Sequence, residues 1–188
     1  MAGDPTLLLA ATASAFVALL MLRAALDKAA DGVRFEGVLA DYDLVPDAAL
    51  RPLRIAVPVL ELLAAGALSF GVTRMAGAGL AGVLLLSYAC AMGLNLTRGR
   101  SEIDCGCGGP AQPLHWALVA RNLCLTATLT PAALGLAWPL SLAQAVAAWA
   151  AAIAAFTGWL AFEQLLANAA RMSRDSRAMA SGAFGGGR

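Results

Sequence analysis

Four cysteines punctuate the sequence, Cys90, Cys105, Cys107 and Cys124, and two of them enclose a single glycine. A disulfide between Cys105 and Cys107 closes a small, strained ring, and Gly106 supplies the backbone freedom that such a ring needs. Strain makes a disulfide more oxidising and more labile, which suits exchange chemistry better than a structural staple. Gly108, Gly109 and Pro110 come directly after and are expected to leave the backbone open to an approaching thiolate. Two ordinary loop cysteines are the plain alternative. A metal site completed by Asp104 or His115 lacks the second close ligand pair that tetrahedral zinc prefers, so no metal is expected. Cys90 and Cys124 fall inside apolar runs, where a cysteine is ordinarily a small hydrophobe. Their other reading is a relay carrying a disulfide inward from the loop. His115, the one histidine, could lower a nearby thiol's pKa by its charge, but beside Trp116 it reads more simply as an interfacial residue.

A second group of candidates consists of ions where ions are costly. Glu61 stands seven residues beyond Arg54, and Arg121 stands eight beyond Pro113. If both helices enter from one side, each group lies about 10 Å deep at ~1.5 Å per residue. Intramembrane ions usually pair and mark function. Glu61 and Arg121 are therefore expected to face each other, with Asn122 and Asn95 nearby. Fixing helix register and handling protons are both open roles for such a cluster.

The elements that must position these groups are membrane spans. Of 188 residues 60% are hydrophobic and 13% charged, far from the 45–50% and about 25% of soluble domains. A net charge of +1 offers no basic face for nucleic acid. Apolar runs at 6–22, 55–72 and 75–96 are each compatible with one crossing. The first has no basic residue before it, so it reads as a retained span and not a signal peptide. From 123 to 162 no charge occurs, and that length holds roughly two crossings. Pro131, Gly135 and Pro139 divide it into spans at 114–136 and 140–162. Between the first two spans, Phe35, Val38, Leu39 and Tyr42 recur at the spacing of one helix face, which predicts a short interfacial helix. The expected fold is an all-α integral membrane protein. It is a bundle of about five transmembrane helices over residues 1–170, followed by a disordered tail at 171–188.

Orientation is read from lysine and arginine asymmetry. The side holding the cysteine loop carries ten basic residues: Lys28, Arg34, Arg51, Arg54, Arg98, Arg100, Arg171, Arg174, Arg177 and Arg188. The other side carries Arg74 alone. The charge rule thus predicts an external N-terminus, with the loop and the C-terminus cytoplasmic.

Several of these residues together resemble the MauE/DoxX family of membrane proteins. The likeness rests on Lys28, Phe35, Tyr42, Pro46, the Pro58-Val59-Leu60-Glu61 step, Asn95, Arg98-Gly99, Asp104-Cys105-Gly106-Cys107 and Arg121-Asn122. It extends over roughly residues 7–162, and the Cys-Gly-Cys after an Arg-Gly step is its most specific part. The family pattern continues with an aromatic residue where this chain has Gly108. The resemblance implies a helical bundle in the inner or plasma membrane that works with a thioredoxin-like partner in maturing a disulfide-containing protein, as in methylamine dehydrogenase assembly. Cys105 and Cys107 are then the redox pair, and Glu61, Arg121 and Asn122 the intramembrane polar cluster. No resident cofactor is evident, and a quinone is one candidate for the final electron acceptor. The competing classes are a non-enzymatic assembly subunit at the membrane and a carrier of metal or small solutes.

Overall fold

The computed structural model describes residues 5–108, 112–136 and 140–183. Among them the regular structure is helical, apart from one isolated bridge between Asp104 and Pro113. Helix α1 spans Pro5–Ala30, α2 Gly32–Tyr42, α3 Asp47–Ser69, α4 Arg74–Thr97, α5 Trp116–Thr128, α6 Thr130–Ala133 and α7 Leu142–Ala183. The chain divides into two compact units, Met1–Ile153 and Ala154–Arg188.

Four stretches are long and apolar enough to cross a bilayer: Thr6–Ala30, Asp47–Ser69, Gly71–Thr97 and Leu142–Leu165. The expected span at 114–136 is instead two pieces. At ~1.5 Å per residue α5 alone reaches about 20 Å of a ~30 Å hydrocarbon core. With α6, however, it carries the chain to Leu129 and Ala132, which pack with Leu68 of α3 and Ala78 of α4, so the expected count of about five crossings is kept. Pro131 has no N–H for the ladder, and the chain tightens ahead of it, with Leu129 N–H donating to the Thr126 carbonyl at 3.1 Å. Gly135, at φ 74°, ends the continuation. Pro139, the other expected breaker, lies outside the described residues.

The ends of α1 and α7 also differ from expectation. Nothing after Arg23 breaks a helix, and Ala24, Ala25, Leu26, Lys28 and Ala29 favour one, so α1 runs on to Ala30. There Asp31 caps α2, its carboxylate accepting from Arg34 N–H at 3.0 Å. Helix α7 continues to Ala183, where an unstructured tail from Arg171 was expected. Residues 171–183 contain no proline, and their alanines, arginines and methionines are good helix formers.

The first unit's core lies between α1, α3 and α4, with Leu129 and Ala132 from the broken segment. Val17, Ala64, Leu68 and Ala81 are its fully buried members, and small side chains let these helices approach closely. The approach is tightest where α4 leaves the turn after α3. A Cβ on Gly77 would lie 2.5 Å from the Leu68 backbone nitrogen. The buried Arg74 donates from Nε to the Leu68 carbonyl at 3.4 Å, satisfying one of the free carbonyls at the end of α3. A second cluster, Val38, Tyr42, Met92, Leu114 and Leu118, packs against Cys105 and Cys107 and places their loop over α2, α4 and α5.

In the second unit, residues 154–183 are one helical stretch. Trp159 Nε1 donates to Glu163 Oε1 at 2.9 Å, one turn along.

Candidate functional site

The cysteine loop is held as a small platform. Cys105 N–H donates to the Gln112 carbonyl at 2.9 Å, and Leu114 N–H donates to Ser101 and Ile103 carbonyls at 2.9 and 3.1 Å. Asp104 serves both loop and helix. Its Oδ1 accepts from Gln112 N–H at 3.2 Å, while Arg34 Nη2 donates to Oδ2 at 2.8 Å. Tyr42 donates its hydroxyl to the Cys105 carbonyl at 3.1 Å. Burial pushes the Tyr42 hydroxyl well up, so it stays protonated and remains a donor. Asn95, wholly buried, donates from Nδ2 to the Tyr42 carbonyl at 3.1 Å, and Arg100 reaches the Asp41 carbonyl at 2.7 Å. Helix α2 is thus the bracket for the loop, and α4 holds the bracket.

Both cysteines are free thiols and half-buried. Cys107 N–H approaches Cys105 Sγ at 3.3 Å, and Cys107 Sγ lies 3.6 Å from the Cys105 carbonyl. The Cys105 side chain hydrogen-bonds Cys107 and draws its pKa below the ordinary thiol value; Arg121 and Lys28 act in the same direction, against burial. Cys105 shifts upward, because it supplies that hydrogen bond and is itself buried. The pair therefore has distinct members, with Cys107 the more readily ionised thiol and Cys105 its protonated partner.

The flank is not open in the way the glycines implied. Gly106 sits at φ 65°, and a Cβ there would lie 2.8 Å from Val38 Cγ1. Gly108 sits at φ 90°, and a Cβ there would lie 2.8 Å from Asp27 Oδ2 and 3.4 Å from Ala24 Cα. These glycines press the loop onto α2 and α1. Gly109 and Pro110 lie outside the described residues.

Beneath the loop is a chamber of about 200 Å³, lined mainly by apolar groups from α2, α3 and α4 and by Cys105 and Cys107. Lys28 stands at its wall, 5% exposed, with Glu61 at 0%. Lys28 Nζ donates to Glu61 Oε1 at 2.7 Å and lies 5.4 Å from the centre of the Phe35 ring and 5.6 Å from that of Tyr88. Tyr88 donates its hydroxyl to the same Glu61 oxygen at 2.8 Å.

This corrects the expected Glu61–Arg121 pair. Glu61 Oε2 accepts no hydrogen bond among the described residues, and the cation on Oε1 is Lys28. Arg121 is instead a neighbour of Cys107. A first helix ending near Arg23 leaves Lys28 in a loop, whereas it lies in the last turn of α1 and so turns into the bundle. The helix-forming run from Ala24 to Ala30 was the signal that could have placed it. Tyr88 carried no such signal, because a tyrosine in an apolar helix reads as packing until its partner is known. Asn122 is buried on α5, and its Nδ2 finds no hydrogen-bond partner among the described residues. Cys90 and Cys124 are both on the outer surface and do not line the chamber, so they offer no buried relay from the loop. His115 is exposed at the start of α5. Among the described residues no three His, Cys, Asp or Glu side chains converge as a metal would require.

Apolar crossings, a buried ion pair and a paired-thiol loop over an apolar chamber define a helical membrane protein with a dithiol at one end of its bundle. The chain belongs to the MauE family: residues 6–139 match the family model described as methylamine utilisation protein MauE. It is 44% identical over 135 residues to methylamine utilization protein MauE of Paracoccus denitrificans, covering 69% of this chain and 72% of the relative. It is 40% identical over 133 residues to the protein of that name from Methylorubrum extorquens, covering 70% and 69%. No solved structure matches.

Proposed function

We propose that this protein exchanges thiols and disulfides at the membrane, assisting the maturation of a disulfide-containing partner together with a thioredoxin-like protein. The observation that carries this reading is the asymmetric pair itself. Cys107 is flanked by Cys105, Arg121 and Lys28, the surroundings that make one thiol of a pair nucleophilic. In the exchange, the Cys107 thiolate attacks one sulfur of a partner disulfide and releases the other as a thiolate. Cys105, once deprotonated, attacks Cys107 in the mixed disulfide. The partner leaves as a dithiol and this chain holds the disulfide; the reverse sequence oxidises the partner. The relatives' names connect the role to methylamine utilisation, in which an enzyme dependent on correct disulfides is the natural client.

The test is trapping with a mass-tagged thiol reagent after oxidation and after reduction. A shift of two thiols is expected, and it vanishes in Cys105→Ser/Cys107→Ser. In cells, a Cys107→Ala variant that still supports maturation of the client would overturn the reading in favour of a non-enzymatic assembly subunit. Solute transport that persists in the double serine variant would favour a carrier.

A further inference from the structure

The chamber under the loop has no part in an exchange between proteins. It is apolar, yet both thiols line it, and its other notable groups are three aromatic residues, Phe35, Tyr42 and Tyr88, and one buried cation, Lys28. Its volume of about 200 Å³ exceeds the ~150 Å³ of a protein cavity that accepts a benzene ring. Its mouth is lateral. Val57 and Ser87 belong to spans α3 and α4, and Ser87 and Leu44 are exposed on the outer surface. With α3 and α4 crossing the bilayer, a ligand entering beside Ser87 would come from the hydrocarbon phase.

We infer that the chamber binds a lipid-soluble quinone, which takes the two electrons of the Cys105–Cys107 dithiol. This rests on the proposed redox role and names its small-molecule oxidant. Aromatic faces suit a flat ring, and a buried ammonium suits an oxygen that becomes negative as the ring is reduced. Lys28 has three N–H donors; Glu61 takes one at 2.7 Å and the Ala24 carbonyl a second at 3.5 Å, which leaves one for a ring oxygen. The Cys107 thiolate adds to the ring, forming an S–C bond. Cys105, deprotonated, then attacks the Cys107 sulfur; the S–S bond forms, the S–C bond breaks, and its electron pair stays on the ring. The two protons lost from the thiols end on the two ring oxygens. A dithiol and a quinone become a disulfide and a hydroquinone, with atoms and electrons balanced.

The experiment uses the full chain, reduced and reconstituted in lipid nanodiscs, with decylubiquinone as the probe. Loss of quinone absorbance should saturate with quinone concentration, and one quinone should be consumed for each two thiols lost. Ser87→Trp plugs the mouth from a surface position and should slow the reaction by at least roughly tenfold. Ala91→Phe, which fills the chamber from α4, should do the same, each variant being checked for monodispersity and helicity. A small water-soluble disulfide is the parallel oxidant. If it oxidises the pair while decylubiquinone does not, or if both plugged and folded variants react with quinone at the wild-type rate, the quinone site is overturned and the exchange role stands. If neither oxidant produces the two-thiol shift, the exchange role itself falls.

Discussion

At the scale of single residues, the site turns on how two charges are shared. Arg121 belongs to Cys107 and Lys28 to Glu61, although both cations act on the thiol. A thiol whose pKa is lowered is ionised above that lowered value and loses its thiolate as pH falls through it. Cys107 should therefore be alkylated at pH values where ordinary thiols, near ~8.5, are still protonated. Arg121→Gln removes a favourable charge and should move the pH–rate curve for Cys107 upward. Alkylation rates read by mass spectrometry in a Cys90→Ser/Cys124→Ser background would check this, and an unmoved curve would detach Arg121 from the thiol. The Lys28–Glu61 pair makes a different prediction. Lys28→Met or Glu61→Gln alone leaves one buried charge without its partner, which typically costs about 3–5 kcal/mol, whereas removing both is often far milder. Thermal unfolding in detergent should show the double variant more stable than either single one. The cysteine pair and a buried, paired ion at Glu61 were legible from residue type and spacing. The identity of Glu61's partner was not, because it depended on where a neighbouring helix ends.

At the scale of elements, two glycines set distances that no larger residue allows. At Gly77 a Cβ would meet the α3 backbone at 2.5 Å, whereas at Gly79 it would meet nothing within 4 Å. Gly77→Ala should cost about 1–3 kcal/mol through forced separation of α3 and α4. Gly79→Ala, in the same helix, should be neutral or slightly stabilising, because alanine is the better helix former. Comparing the two melting temperatures tests the crossing directly; equal values would refute it. In the cysteine loop, Gly106→Ala combines a left-handed backbone, worth about 1–2 kcal/mol against alanine, with a collision at Val38. The loop should lift from α2, and Cys107 should react faster with a bulky water-soluble maleimide. The apolar runs foretold α1, α3 and α4, and the periodicity of Phe35, Val38 and Tyr42 foretold α2. The broken α5–α6 segment was less legible. Its composition is as apolar as a span, and the proline read as a divider between two crossings instead breaks the first of them into two short helices.

At the scale of the whole molecule, the question is which side of the membrane the loop faces. Of the ten basic residues assigned to the loop side by sequence, Lys28 is buried within α1, and Arg34, Arg51, Arg54, Arg98 and Arg100 remain at least partly exposed in the first unit. On the opposite side Arg74 is also buried, its guanidinium spent on the end of α3 rather than offered to the solvent. The imbalance is thus stronger in kind than the raw count, since the poorer side presents no exposed basic group among the described residues. On the charge rule a cytoplasmic loop and C-terminus are the expected orientation. The surface positions of Cys90 and Cys124 narrow the routes open to a disulfide. Without a buried thiol path across the bundle, protein partners must meet Cys105 and Cys107 on the loop's own side. A quinone in the chamber would be the remaining route for electrons into the membrane. A C-terminal fluorescent reporter that matures only in the cytoplasm should light up, and an alkaline phosphatase fusion at the same point should stay inactive. A membrane-impermeant maleimide should label Cys107 in inverted vesicles but not in intact cells. Labelling in intact cells together with an active phosphatase would invert the molecule and place its exchange partners outside.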